Sequence, residues 1–343
     1  MTTTSSRARP AGLARRPVVQ ALGLALATVS LGAQAQGQAA ADFPSKPIRI
    51  VVTYAPGGLT DSMARVLADK MSKSMGVPVL VENKPGAAGI IGTDYVAKSP
   101  PDGYTISLAL SNAIYTNQFI YPKLPYNPNK DISFIYKLAN GPAMLVVHNS
   151  VPAKNLEEFK TWLKANPGKI NYGSYGIGSY PHMVTEYIGK QLGVPMSHAV
   201  YKGEAPMVQD LLSGQIQFAF GSPAVMKPHF ETGKLRPIAV TSNKRFATLP
   251  DLPTFGEQGW NDKPYGLMGW FGFIGPAGIP KPILDKLAAE TRKAMADPDI
   301  QTRFVNFGYE AVTDSSPEAH EAEYKRNVGY WKELVQISGA KME

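Results

Sequence analysis

The chain of 343 residues contains no cysteine. Disulfide staples, thiol nucleophiles and cysteine-ligated metals are excluded together. Its five histidines stand at 148, 182, 198, 229 and 320. None shows H-x-x-x-H or H-E-x-x-H spacing, so a catalytic zinc site has no support. There is no run of Lys or Arg and no basic stripe interleaved with aromatics, so nucleic acid is not an expected partner. Internal repeats and low-complexity segments are also lacking. After the first 35 residues no apolar stretch is long enough to cross a bilayer.

The amino terminus has its own composition. Arg7, Arg9, Arg15 and Arg16 are met by no acid, and an apolar run follows at 18–32. Small residues come next, at Ala33-Gln34-Ala35 and again at Ala39-Ala40-Ala41. This is the three-part pattern of a secretory signal peptide over 1–35. The run is about 15 residues, short of the roughly 20 that span a membrane. Arg15-Arg16 could mark twin-arginine export, but Pro17 follows directly and ordinary secretion fits better. The mature chain is expected to start between 36 and 42 and to work in the periplasm. Four of the 35 basic residues leave with the signal, so 31 face 27 acids and the formal charge falls from +8 to +4. Such a balance is compatible with small anions without pointing to them.

The most informative stretch runs from 48 to 94. Two strand–glycine-loop–helix units stand back to back. The first reads Ile48-Arg49-Ile50-Val51-Val52-Thr53-Tyr54, then Ala55-Pro56-Gly57-Gly58-Leu59-Thr60-Asp61, then a helix over 62–75. The second carries Lys84-Pro85-Gly86-Ala87-Ala88-Gly89 before a helix over 90–98. Each loop ends a buried strand and opens a helix, which aims backbone N–H groups and the helix dipole at whatever lies above the strand. An anion site follows. Neither loop reads G-x-G-x-x-G or G-x-x-x-x-G-K-[ST], so nucleotide phosphates are not the first expectation.

Strand-like and helix-like segments then alternate. Strands read at 48–54, 77–82, 104–110, 132–138, 143–148, 169–173, 196–201, 216–220, 235–241 and 268–275. Helices fit at 62–75, 90–98, 155–166, 182–192, 204–213, 280–297 and 317–337. The pattern is α/β, with two doubly wound mixed sheets flanked by helices. At Asn140-Gly141-Pro142 two strand-like runs meet with no helix between them, as when a chain passes between lobes. The expected division is 43–140 for the first part of lobe 1, 141–255 for lobe 2, and 256–343 for the return to lobe 1. Two crossings make a clamshell with a ligand cleft.

Lobe 2 has its own glycine loop, Gly173-Ser174-Tyr175-Gly176-Ile177-Gly178-Ser179-Tyr180, and a strand end at Tyr201-Lys202-Gly203-Glu204. One such loop is ordinary turn chemistry, but four at strand ends in both lobes point to a site. An exported hydrolase is the rival class. Tyr172 and Ile177 occupy the glycine positions that G-x-S-x-G requires around Ser174 and Ser179. His182 is better explained by capping or packing.

The chain resembles the solute receptors of tripartite tricarboxylate transporters, also called the Bug receptors. The resemblance is carried by Phe43-Pro44-Ser45-Lys46-Pro47-Ile48, Ala55-Pro56-Gly57-Gly58 with Asp61, and Val81-Glu82-Asn83-Lys84-Pro85-Gly86-Ala87. It continues through Pro101-Asp102-Gly103-Tyr104-Thr105, Asn171-Tyr172-Gly173-Ser174, Tyr201-Lys202-Gly203, Leu249-Pro250-Asp251-Leu252-Pro253-Thr254 and Gly275-Pro276-Ala277-Gly278. It implies a two-lobed periplasmic binding protein, type II-like, with no enzymatic activity and no cofactor. Its expected partners are a small organic carboxylate and the membrane permease subunits, and it is expected to act as a monomer. A periplasmic sensor that presents its ligand to a membrane kinase would use the same pocket. In the family one carboxylate is held by the first loop of lobe 1 and the glycine–serine loop of lobe 2. Carried over, Ala55, Gly57 and Gly58 face Ser174, Gly178 and Ser179.

Further expected ligand contacts are Tyr54, Leu59, Asp61, Ser111, Asn112, Tyr175, Tyr201 and Gly221, with Asp61 read first as a helix first-turn residue. Relatives often carry Asp where this chain has Gly221. An ammonium would then lack an ionic partner, unless Glu204 or Asp61 reaches the cleft from another loop. Leu59, Tyr115, Tyr175 and Tyr180 are expected as apolar walls. Together these favour an aromatic or dicarboxylic acid over an amino acid.

Overall fold

A computed structural model describes residues 1–5 and 42–340. Apart from its first five residues, the expected signal peptide lies outside the described residues. Among the described residues no helix is long and apolar enough to cross a membrane.

The strands are β1 (Ile48–Val52), β2 (Val79–Asn83), β3 (Thr105–Leu110), β4 (Ile132–Gly141) and β5 (Met144–His148). They continue with β6 (Asn171–Ser174), β7 (Ser197–Val200), β8 (Phe218–Gly221), β9 (Leu235–Val240) and β10 (Gly269–Pro276). They form two five-stranded sheets, ordered β2-β1-β3-β10-β4 and β7-β6-β8-β5-β9. In the first, β1 runs parallel to β2 and β3, while β10 is antiparallel to β3 and β4. The second repeats the scheme, with β6 parallel to β7 and β8, and β5 antiparallel to β8 and β9. In each sheet the antiparallel strand is the one the chain enters on arriving from the other sheet. A direct crossing from β4 to β5, with Pro142 and Ala143 between them, leaves no room for the helix that a parallel connection needs.

The central strands are buried on both faces, which is why they read as unbroken apolar runs. Ile50, Val51 and Val52 in β1, and Leu145, Val146 and Val147 in β5, are fully buried. Each such side chain contributes roughly 1.5–3 kcal/mol by leaving water.

Helices of eight residues or more are α1 (Leu59–Met75), α2 (Ile90–Ala97), α3 (Leu156–Ala165), α4 (Tyr180–Leu192), α5 (Glu204–Leu212), α6 (Lys281–Met295), α7 (Pro298–Phe307) and α8 (Pro317–Ser338). Asn155 caps α3 by accepting from the Glu158 N–H, and its own amide donates to the Glu158 carboxylate. Ser316 caps α8 from its side chain, with Pro317 in the first turn. Helix α7 was not expected from the sequence. Its start is chemically clear in retrospect, with the Asp297 side chain accepting from the Asp299 N–H and Pro298 in the first turn.

Helix α8 departs from the expected return to lobe 1 alone. It packs on β4 and also on α4 of the second lobe. Lys137 of β4 pairs with Glu323 at 2.7 Å, and Lys190 of α4 donates to the Ile337 carbonyl at 3.0 Å.

Candidate ligand-binding site

A cavity lies where the carboxyl ends of the parallel strands in the two sheets face each other. Open α/β sheets bind ligands at such strand ends. From the first lobe, β1 runs into Tyr54 and then into the loop that opens α1 at Gly58, Leu59 and Thr60. Ser111 and Asn112 follow β3, and Trp270 and Phe271 come from the start of β10. The second lobe adds Tyr175 after β6, Tyr180 at the start of α4, Glu204 at the start of α5, and Gly221 and Ser222 at the end of β8. Tyr309 and Trp331, from the returning chain, complete the wall. A water molecule's centre has about 60 Å³ to occupy inside. That is room for a few waters or one small organic molecule.

Seven of the twenty lining residues are aromatic, and several of the tyrosine hydroxyls are already used. Tyr54 donates to the Asn112 side-chain oxygen at 2.9 Å, Tyr180 to the Pro264 carbonyl at 2.8 Å, and Tyr309 to the Pro142 carbonyl at 3.1 Å. Tyr54 and Tyr175 meet edge to face, with ring centres 5.7 Å apart. Burial pushes the phenols of Tyr54, Tyr175, Tyr180 and Tyr309 upward, so all four stay neutral. These rings therefore present apolar surface rather than charge.

Polar character enters at two places. Helix α1 begins at Gly58, which has no side chain to cap it, and Leu59 and Thr60 of that first turn line the cavity, where the Leu59 N–H bonds to the Glu204 carboxylate. A helix start facing a cavity suits an anion. The second place is Glu204. Its carboxylate accepts from the Ser222 hydroxyl at 2.8 and 2.9 Å and from the Ser222 N–H. Burial pushes its carboxyl up, against the hydrogen bonds from Ser222 and from the Leu59 N–H at the start of α1. A Cβ built on Gly221 would stand 2.7 Å from Glu204 Oε1. The lack of an acid at 221 therefore does not leave the cavity without a carboxylate, because Glu204 reaches the same place from α5. Among the described residues, the lining holds no Lys, Arg or His.

Half of the residues expected at the site line this cavity: Tyr54, Gly58, Leu59, Ser111, Asn112, Tyr175 and Gly221. The others are placed elsewhere. The Ala55 N–H donates across the lobes to the Lys202 carbonyl at 2.9 Å. The Gly57 N–H donates to Asp61 at 3.0 Å. Asp61 is buried; burial opposes its ionisation, but hydrogen bonds from Arg65, Gly57 and Asn83 outweigh it and hold the carboxyl below the usual range. Ser174 Oγ lies 2.7 Å from His198 Nε2, behind the glycine loop. The Gly178 carbonyl accepts from Thr116 at 2.7 Å, Ser179 Oγ is buried without a partner, and Tyr201 donates to Asp210 at 2.7 Å. Tyr115, expected as a wall, instead stacks on Tyr324 and on Trp331, and Trp331 faces the cavity in its place. Trp270, Phe271, Tyr309 and Trp331 were not expected at the site. Glu204 was foreseen only as an acid able to reach the cleft.

The model of the tripartite tricarboxylate transporter family receptor matches residues 63–339. The chain belongs to this family. It is a solute-binding receptor and not an enzyme. A curated relative from Cupriavidus necator, described as a UPF0065 protein in the gbd 5′ region, is 38% identical over 300 residues, covering 86% of this chain and 89% of the relative. Among solved structures, the periplasmic binding protein BugD is 36% identical with a TM-score of 0.83, covering 88% of this chain and all of its own. The R. palustris protein Rpa4515, solved with adipate, is 29% identical with a TM-score of 0.83 over the same shares.

Proposed function

We propose that the chain is a periplasmic receptor that captures one small organic carboxylate between its lobes and delivers it to a tripartite tricarboxylate-type membrane transporter. It acts as a monomer and needs no cofactor. The observation that carries this reading is the start of α1 at Gly58, Leu59 and Thr60, opening into a cavity built by both lobes. A carboxylate there takes N–H groups from the first lobe while its body touches Tyr175 and Tyr180 of the second. Closure is then favoured only by the contacts that the closed form adds. The aromatic walls favour a flat or compact apolar body, and the adipate held by Rpa4515 supports the carboxylate class. The test is calorimetry with a panel of small acids and their amides. Tight binding of acids with loss of binding by the amides is expected. Equal binding of acid and amide would remove the anion site.

A further inference from the structure

Glu204 stands where the ligand's carboxylate is expected. A Cβ built on Gly58 would lie 3.7 Å from the Glu204 Cβ and 3.8 Å from its backbone nitrogen. The Glu204 carboxylate takes the Leu59 N–H of the first turn of α1, together with the N–H and the hydroxyl of Ser222. Acid and helix start belong to different lobes, and both line the cavity. The start of a helix carries only about half a positive charge. Leu59 and Thr60 of α1, Gly221 of β8 and Ser222 after it bring no charge of their own. The titratable groups that face Glu204 are Tyr175 and Tyr309, with Tyr54 packed edge-on against Tyr175, and burial keeps all three neutral. A ligand carboxylate arriving at the same turn therefore meets a second carboxylate. Two such groups in one site do not both stay ionised. One proton between them removes the repulsion and adds a hydrogen bond.

We propose that Glu204 binds the ligand's carboxylate as a protonated carboxyl, so that capture takes up one proton. Resting on the carboxylate-receptor reading above, this makes Glu204 a specificity-determining residue, selecting a group that accepts its O–H. The free receptor with Glu204 ionised, the ligand carboxylate and one proton from solvent give a complex in which the Glu204 O–H donates to a carboxylate oxygen of the ligand. Burial already pushes the Glu204 carboxyl up, which lowers the cost of adding that proton.

The experiment is calorimetry on the exported chain and on Glu204→Gln, with benzoate, adipate and their amides as probes. Buffers of different ionisation enthalpy, at about pH 6.5, 7.5 and 8.5, count the protons taken up while the acids themselves stay ionised. Wild type is expected to take up close to one proton at the highest pH, and to bind about tenfold more weakly for each pH unit above the Glu204 pKa. In E204Q the amide donates to the ligand while its oxygen still accepts from Ser222 and Leu59. This variant is expected to bind the acids without proton uptake, nearly independently of pH, and about tenfold or more tighter than wild type at the highest pH. Acid-selective binding by wild type with no proton taken up at any pH would overturn the proposal and leave the carboxylate receptor standing. Equal binding of acids and amides would sink both. A second measurement needs no ligand. Urea unfolding compares wild type with E204Q from about pH 5 to 8. The unfolded chain gives up the Glu204 proton before the folded chain does, so wild type is expected to lose stability relative to E204Q as pH rises. A constant difference would mean that Glu204 holds no proton in the folded chain over this range, and would overturn the proposal.

Discussion

Gly176 of the second lobe sits directly on Ala88 of the first. A Cβ on Gly176 would stand 2.6 Å from the Ala88 Cβ and 2.7 Å from its Cα, and the Gly176 φ is +135°. Only glycine fits, for space and for backbone alike. The contact brings the second loop of lobe 1 against the glycine loop of lobe 2, next to Tyr175 of the cavity wall. Gly176→Ala is expected to hold the lobes apart and weaken ligand binding by about tenfold or more, since closure contacts carry part of the affinity. Calorimetry and small-angle scattering with saturating ligand measure it. Wild-type affinity in G176A would show that this contact plays no part in closure.

The other side of that contact is strained. Ala87 and Ala88 both have positive φ, 47° and 52°, which is uncommon for residues with a Cβ. The Ala88 carbonyl is pinned by the Asn112 amide at 2.9 Å and the Asn117 amide at 3.2 Å. Ala88→Gly is expected to stabilise the folded chain by up to about 1 kcal/mol, the relief of left-handed strain less the entropy of glycine in the unfolded chain. Urea unfolding reads it. A loss of 1 kcal/mol or more would mean that the Ala88 methyl packing outweighs the strain.

These loops show what was legible from sequence. All ten expected strands are present, because short apolar runs punctuated by Gly, Pro and Asn leave little choice of element. The first helix starts at Leu59 rather than 62: Asp61 was read as a first-turn residue, but Leu59 and Thr60 carry no local signal that separates loop from first turn. The site was half legible. Tyr54, Gly58 and Leu59 follow one another through a single loop and into the start of α1, and such loops show in sequence. Trp270, Tyr309 and Trp331 reach the cavity only because the chain returns from the second lobe, and no local pattern marks them. Glu204 was masked by a commonplace, because an acid in the first turn of a helix is ordinarily explained by the dipole.

Ser174 and Ser179 belong to the loop expected to hold the carboxylate, and neither lines the cavity. Ser174→Ala leaves His198 Nε2 without its 2.7 Å partner and is expected to cost about 1–2 kcal/mol of stability. Ser179→Ala removes a buried oxygen that has no partner and is expected to be neutral or slightly stabilising. Ligand affinity stays within about threefold in both variants if the folded site is intact. Thermal melts and calorimetry on the same preparations separate the two effects. A tenfold affinity loss in either would return that serine to the binding site.

His182 and His198 stack with ring centres 4.4 Å apart behind the same loop. Burial pushes His182 down to about 4. Burial, and then the neighbouring His182, push His198 down to about 3. The Gly178 N–H donates to His182 Nδ1 at 3.1 Å, a bond that protonation of that nitrogen destroys. In the unfolded chain both rings titrate near 6.5. As pH falls below that value the unfolded chain takes up protons that the folded chain refuses, so stability drops. The loss runs from about pH 6.5 down to about 4, and His182 alone accounts for roughly 3 kcal/mol of it. Glu204 has the opposite sign, because its raised carboxyl favours the folded chain as pH falls. The measurement is therefore a difference. Urea unfolding of wild type and His182→Asn at neutral pH and at two points down to about 4.5 cancels the Glu204 contribution. The Asn variant is expected to start less stable and to lose less on acidification. Parallel pH curves would remove His182 as a source of the acid sensitivity.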